Sequence, residues 1–424
     1  MFLSQAEAKD FTPEALLADF ATRLNGEGPL GVAVSGGGDS LALLQSLALW
    51  GQRPLEVFCV DHGINPASTG WSEQVAAQAT QLGAGFTALQ WRDAKPSSGL
   101  AAAARRARHG LLAEAARARG CRVLCLGHTA DDVIEARAMR AAGSNVGAPR
   151  IWSPSPVWPQ GRGLFLYRPL LNVRRAALRD WLRAQGLGWI DDPANDNPQS
   201  LRARMRQDMT ACDAEMTPPS EPGLLPTDLL YDPQGWGALG LIRLDAARLA
   251  GLGEDRQGRI LAMAAVCAGG RDQLPRQGQT AHLWQNLQQG GVATLCGARV
   301  WLENGHIHLV RDAGDMHRRP IATVNETGSL IWDGRFELTG AGTATLSPAD
   351  GLRAHLSKSD QRRLTRLPAA LRPVLPVIDK SGPLLAMPDS NGTDSGALSV
   401  TGLVMPRFLA AIGAVKAESE LDLF

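Results

Sequence analysis

Residues Gly31 to Leu44 read GVAVSGGGDSLALL. An apolar run leads into Ser35-Gly36-Gly37-Gly38-Asp39-Ser40, and a helix-like apolar stretch follows. Three successive glycines let the backbone approach an anion closely, because no Cβ intervenes. The helix start behind them adds N–H groups without intrahelical acceptors and the positive end of the helix dipole. The Lys-Ser/Thr of a Walker A loop is missing, so this is a different kind of phosphate cradle. The plain alternative is a tight turn between a buried strand and its helix.

Around this loop, strand signals at 30–34, 55–60, 86–91 and 122–126 alternate with helix signals at 39–50, 72–82, 100–119 and 131–142. Apolar strands joined by helix-length connections predict an α/β fold, a doubly wound parallel sheet with helices on both faces. Ligands of such sheets gather at the carboxyl ends of the strands. The Ser35 loop, Asp61-His62-Gly63 and Gly127-His128 each follow a strand directly, so three separated stretches converge on one edge. Gly127-His128-Thr129-Ala130-Asp131-Asp132-Val133-Ile134-Glu135 then opens a helix. Its acids lie three and four residues apart and share a helical face. Acids in a first turn also serve as ordinary dipole partners. Beside a phosphate loop, however, clustered hard oxygens are what Mg²⁺ prefers.

Further along, 143–163 is rich in Pro, Gly and Ser and predicts a long exposed loop, a lid or docking segment. Trp152 and Trp158 on it are either stacking surfaces or buried anchors. A helix is expected at 173–185, a polar then helical stretch at 195–209, and a Pro-rich linker at 217–226. Helices at 244–252 and 255–268 and strands near 292–296 and 306–310 follow; beyond 316 come strands at 329–332 and 336–338 and a basic stretch at 358–366. The division expected is 1–216 as the catalytic α/β domain, 217–315 as a mixed helical domain, and 316–424 as a small β-rich domain. A length of 424 residues suits two or three domains, and 44% hydrophobic content with a net charge of +1 excludes a disordered chain. The N-terminal MFLSQAEAKDF holds no apolar signal core, and no stretch is long enough to span a bilayer, which leads to the expectation of a cytoplasmic enzyme. Cys59, Cys121, Cys125, Cys212, Cys267 and Cys296 form no CxxC and no zinc-like grouping; Cys59 and Cys125 fall in apolar strands as small core residues.

The SGGGDS string resembles the pyrophosphate loop, SGGxDS, of the N-type ATP pyrophosphatases (the PP-loop family), which adenylate a substrate by cleaving ATP between its α and β phosphates. Within that group the chain resembles the tRNA(Ile)-lysidine synthetases. Their VDHGLR, ARxARY, GHxxDDxxET and DPSNxxxxxxRNRxR motifs correspond here to 60–65, 104–109, 127–136 and 192–206, in the same order and spacing. The similarity covers about 31–206 and is looser beyond. Departures stand at His109, Ala136, Ala194 and Ala203, and the family's Gly/Leu-rich stretch is replaced by the Pro/Trp-rich 144–163; the carboxylates and arginines are kept.

The resemblance implies ATP as substrate, Mg²⁺ as cofactor, and L-lysine and a tRNA(Ile) with a CAU anticodon as partners. By it, Ser35, Gly36, Gly37, Gly38, Asp39 and Ser40 take ATP, with Gly127, His62 and His128 lining the adenylate pocket. Asp39 and Asp132 would hold Mg²⁺. Asp131, Asp132 and Glu135 would serve Mg²⁺ and the lysine amine, without a partition among them. Arg108 and Arg202 or Arg206 would face phosphates or the lysine carboxylate. The 217–315 and 316–424 domains would bind tRNA. Two basic groups support a nucleic-acid partner: Lys95, Arg105, Arg106, Arg108, Arg117, Arg119 and Arg122 around a single acid, and Arg174, Arg175, Arg179 and Arg183 on one helix face. Solvated charged faces are the plain alternative. The competing functions are a tRNA thiolase, disfavoured by the missing cysteine pair, a noncatalytic RNA- or nucleotide-binding relative, and a small-molecule synthetase that works without RNA. The oligomeric state stays open, a homodimer included.

Overall fold

The central strands of a six-stranded sheet, β1 (Leu30–Ala33) and β4 (Val123–Leu126), are buried almost throughout. The computed structural model that shows this describes residues 12–13, 21–64, 68–143, 147–191, 227–276, 278–317, 323–324, 329–340, 344–379, 382–388 and 398–422. β2 (Leu55–Asp61) and β3 (Gly85–Gln90) continue the sheet on one side of β1, and β6 (Phe165–Tyr167) and β5 (Trp152–Pro154) on the far side of β4, in the order β3-β2-β1-β4-β6-β5. All pairs are parallel except β5 with β6. β3 is half exposed, as its position far from the centre of the sheet allows.

Helices α1 (Gly38–Trp50), α2 (Ser68–Gln81), α3 (Leu100–Ala118) and α4 (Ala130–Ala141) follow β1 to β4 in turn, and α5 (Arg175–Ala184) follows β6. α3 packs Leu112, Ala113 and Ala116 on Phe58, Leu124 and Leu126 of the sheet. Residues of the other parity, Leu30, Val32, Val57, Val123 and Cys125, are equally buried, so both faces are covered, as the doubly wound α/β reading requires. Cys59 and Cys125 are buried core residues in β2 and β4.

The 143–163 stretch departs from the exposed loop expected of it. Residues 152–154 form the antiparallel edge strand, and Trp152 is a buried anchor, its ring stacked on Phe165 at 4.9 Å. Its indole N–H donates to the Val415 carbonyl at 3.1 Å. An aromatic with an apolar body and one satisfied polar tip packs well in such a place, and the Pro/Gly composition of its flanks hid the short strand. The last residues belong to this unit too, which comprises Met1–Gly223 and Val415–Leu423. Arg53 pairs there with the buried Glu418.

The second unit, Leu224–Ala414, holds two cores. One lies between the antiparallel sheet of 242–245, 306–311, 298–303 and 293–295 and the helices Glu254–Ala268, Gln279–Gln288 and Val404–Ile412. The other is β-rich, with a four-stranded and a three-stranded antiparallel sheet around Phe336, Leu346, Leu375 and Val377. The boundary expected between 217–315 and 316–424 runs through this unit, and helix 404–412, from beyond it, packs in the first core. The helix expected at 244–252 is a strand, Ile242–Asp245, and a short helix, Ala246–Ala250: the Asp245 side chain caps that helix by accepting the Arg248 N–H. The expected elements at 195–209 and 217–226 lie outside the described residues. Among the described residues, no helix is long and apolar enough to cross a membrane.

Candidate active site

β1 and β4 are neighbours from which the chain departs in opposite directions, which makes the crevice at their carboxyl ends the switch point of the sheet. The glycine loop leaves β1 there. Gly36 has φ +86°, and a Cβ on it would lie 2.4 Å from Ile190 Cδ1. Gly37 caps α1 without a side-chain acceptor, so the first-turn N–H groups of the helix point toward the loop. Ser40 folds back to brace the turn: its hydroxyl donates to the Gly37 carbonyl at 2.9 Å and accepts the Ser35 N–H at 3.2 Å. Gly127, in the turn after β4, would bring a Cβ to 2.9 Å of the Asp39 carbonyl oxygen, so only glycine lets the two loops touch.

The residues after β2 and β4 lie beside arginines of neighbouring elements. Asp61 accepts the Gly63 N–H at 2.7 Å and shapes the turn that carries His62. His62 lies edge-on to Trp91, and burial, with Arg108 nearby, lowers its ionisation below the usual imidazole range. His128 Nδ1 accepts the Arg168 Nε–H at 3.2 Å. Burial and Arg168 push His128 down to about 3, and burial with Arg108 and Arg105 pushes His109 to about 3. These imidazoles are therefore neutral at physiological pH, and the positive charge here resides in the arginines. Arg168 is itself buried, held by the Arg150 carbonyl at 2.8 Å and Ser153 Oγ at 2.9 Å. Nothing local in the sequence marked it.

Three carboxylates converge on one guanidinium, and a fourth holds the backbone of the same residue. Arg175, at the start of α5, donates from Nε to Asp39 Oδ2 at 2.8 Å; its terminal nitrogens lie 3.7 Å from Asp132 Oδ2 and 3.7 Å from Glu135 Oε1. Its backbone N–H donates to Asp131 Oδ2 at 2.7 Å. The basic face expected of Arg174, Arg175, Arg179 and Arg183 is not a uniform surface. Arg175 turns into the acidic cluster, Arg174 pairs with Asp131, Arg179 with Asp191, and Arg183 with Asp180. The first basic group is also engaged: Lys95 sits over the Trp91 ring and donates to the Trp91 carbonyl, and Arg117 donates to the Arg162 carbonyl.

The cluster divides by chemistry. Asp132 Oδ2 accepts the Thr129 N–H at 2.9 Å and the Thr129 hydroxyl at 3.1 Å, a capping box for α4. Asp131 fastens α5 to α4 through the Arg175 N–H. Each holds a helix end, and Asp132 also reaches the Arg175 guanidinium. Asp39 and the buried Glu135 meet other nitrogens of the same guanidinium. Burial raises the Asp39 carboxyl above its ordinary range, with Arg175 offsetting part of that; burial alone would lower Arg175, but Asp39, Asp132 and Glu135 pull it above the usual guanidinium range. Among the described residues, no three acidic, His or Cys side chains form a ready-made metal cage. Mg²⁺ commonly takes one or two carboxylates and completes its shell from water and substrate phosphates, and Asp39 beside the glycine loop fits that use. Arg202 and Arg206, with the whole 192–206 run, lie outside the described residues.

A glycine loop between β1 and α1 at the switch point of a parallel sheet, acids opposite it, defines a PP-loop nucleotide-binding protein, and residues 11–212 match the PP-loop domain family. A tRNA(Ile)-lysidine synthase of Caulobacter vibrioides is 42% identical over 404 residues, 92% of this chain and 95% of that protein. Others of that name, from Hyphomonas neptunium and Rhizobium meliloti, are 36% identical over 75% of this chain and 90% of theirs, and 33% identical over 75% of each. The chain belongs to the tRNA(Ile)-lysidine synthase family.

Proposed function

We propose that this protein ligates L-lysine to the wobble cytidine of a CAU-anticodon tRNA(Ile) in the cytoplasm, using ATP and releasing AMP and pyrophosphate. In the first step a carbonyl oxygen of the base bonds to the α-phosphorus of ATP while the bond to the β-phosphate oxygen breaks. In the second, the lysine ε-ammonium gives one proton to solvent, the neutral amine nitrogen bonds to the activated carbon, and the bond from that carbon to the adenylate oxygen breaks as AMP leaves. The observation that carries the reading is the meeting of Asp39 and Glu135 on one cationic group, next to the glycine loop.

The α1 N-terminus and Gly36 to Gly38 receive the phosphates, whose negative charge grows on pyrophosphate as it departs. Asp39, beside Asp132, would hold Mg²⁺, which when bound neutralises phosphate charge. Glu135 is the carboxylate assigned to the lysine ammonium, since Asp131 already holds the Arg175 N–H and Asp132 the Thr129 cap. The neutral His62 and His128 line the adenylate pocket without adding charge, and Arg108 faces an anionic group, phosphate or the lysine carboxylate. The 217–315 and 316–424 regions, most of which make up the second unit, supply tRNA-binding surfaces. A thiolation chemistry is disfavoured: among the described cysteines, burial pushes the Cys121 thiol up to about 12, far from a reactive thiolate.

The test is incorporation of labelled lysine into a CAU-anticodon tRNA with and without ATP. Incorporation that requires ATP and is lost, together with pyrophosphate release, in Asp39→Asn while tRNA binding persists is the expected result. No incorporation by the wild-type protein, or equal activity in both proteins, refutes the assignment.

A further inference from the structure

An arginine seated in a cation site needs a reason. Asp39 and Glu135 meet different nitrogens of Arg175, Asp39 bonding Nε at 2.8 Å and Glu135 lying 3.7 Å from Nη1. The guanidinium is four-fifths buried, so its charge is only partly screened by water. Its backbone does not depend on this pairing: the Arg175 N–H is fixed by Asp131, and α5 is anchored by the buried Ala177, Leu178 and Leu182. The side chain can therefore leave Asp39 while its helix stays in place.

We infer that Arg175 is a positioning residue that occupies the divalent-cation position on Asp39 when nucleotide is absent and is displaced by the metal ion. This rests on the assignment of Asp39 above and adds a competitor to it. Without a resident cation, Asp39, Asp132 and Glu135 would repel one another within a few side-chain lengths, and their oxygens would scatter. Arg175 keeps them convergent. The same contact makes bare metal binding weak, because the ion must break a charge-assisted hydrogen bond to enter. An ion arriving with the triphosphate brings its own ligands and leaves the displaced guanidinium an anionic partner beside the glycine loop. Loading of metal and ATP together is thereby favoured over metal alone.

The experiment uses the full chain and Mn²⁺ as the probe, with free Mn²⁺ read by electron paramagnetic resonance in the absence of ATP, lysine and tRNA. Arg175→Gln, which removes the charge, is expected to bind Mn²⁺ roughly tenfold more tightly than wild type, about 1.4 kcal/mol. Adding Asp39→Asn to that variant is expected to abolish the gain. Unchanged or weaker Mn²⁺ binding in a folded Arg175→Gln protein overturns the inference, as does a gain that survives Asp39→Asn. If Arg175→Gln does not fold, Arg175→Lys carries the test: a lysine has no Nε–H to bond Asp39 in the way the arginine does, so tightening relative to wild type supports the displacement and wild-type affinity overturns it. Because no tRNA or lysine is present, failure here leaves the ligase assignment standing, while absence of lysine incorporation overturns that assignment alone.

Discussion

Replacing Gly36 by alanine perturbs the phosphate loop in two separable ways. The backbone there has φ +86°, where an L side chain costs about 1–2 kcal/mol. The new methyl would also lie 2.4 Å from Ile190 Cδ1, and Ile190 is tied in place by its N–H bond to the Gly36 carbonyl at 2.9 Å. Cδ1 is the far end of a side chain, so the overlap is relieved by moving Ile190 off its rotamer for about 1 kcal/mol. The sum, about 2–3 kcal/mol, corresponds to a fall of roughly 5–10 °C in Tm for a unit of this size. Pyrophosphate release should fall at least about tenfold, since 1.4 kcal/mol of misplaced N–H donors already costs that much. Thermal melting and a pyrophosphate assay, repeated in an Ile190→Ala background, separate the terms. There the penalty of Gly36→Ala should shrink by about 1 kcal/mol and keep its backbone part. Wild-type melting and turnover in Gly36→Ala would refute the loop's role, and an equal penalty in both backgrounds would refute the Ile190 contact.

Two other consequences concern stability. Asp333 lies between the fully buried guanidiniums of Arg311 and Arg335, bonded to them at 2.7 and 2.8 Å; Asp333→Ala leaves both without it and should cost about 3–5 kcal/mol in chemical denaturation, a loss below 1 kcal/mol counting against this account. His109 should make the fold acid-sensitive: its folded value of about 3 lies below the unfolded 6.5, so the stability it contributes is complete above pH 6.5 and declines as pH falls toward 3. At pH 5 the loss is about 2 kcal/mol, and a His109→Gln protein should show a flatter decline between pH 7 and 5 in the same measurement; an identical slope would contradict the burial argument.

Period and punctuation were legible over the first two hundred residues because they are local. Alternating apolar strands and amphipathic helices gave the sheet, and strand ends followed by Gly, Asp and His gave its ligand edge, where the structure brings Asp39, Asp132 and Glu135 together. Short strands in atypical composition were not legible. Trp152–Pro154 hides in a Pro/Gly-rich stretch, and Ala298–Glu303 between two tight turns had no long period to display.

The amino-acid order alone determined a nucleotide-binding α/β unit and its glycine loop, since the spacing of apolar residues and the missing Cβ atoms act within a few positions of each other. Which charge meets which was decided by the chain's path. Arg175 and Asp39 are 136 residues apart, and the same arginine on the same amphipathic helix would have faced water had α5 docked one turn away. Only packing α5 against α1, with Asp131 of α4 holding its first N–H, turned a residue of an ordinary basic face into the cation at the centre of the site.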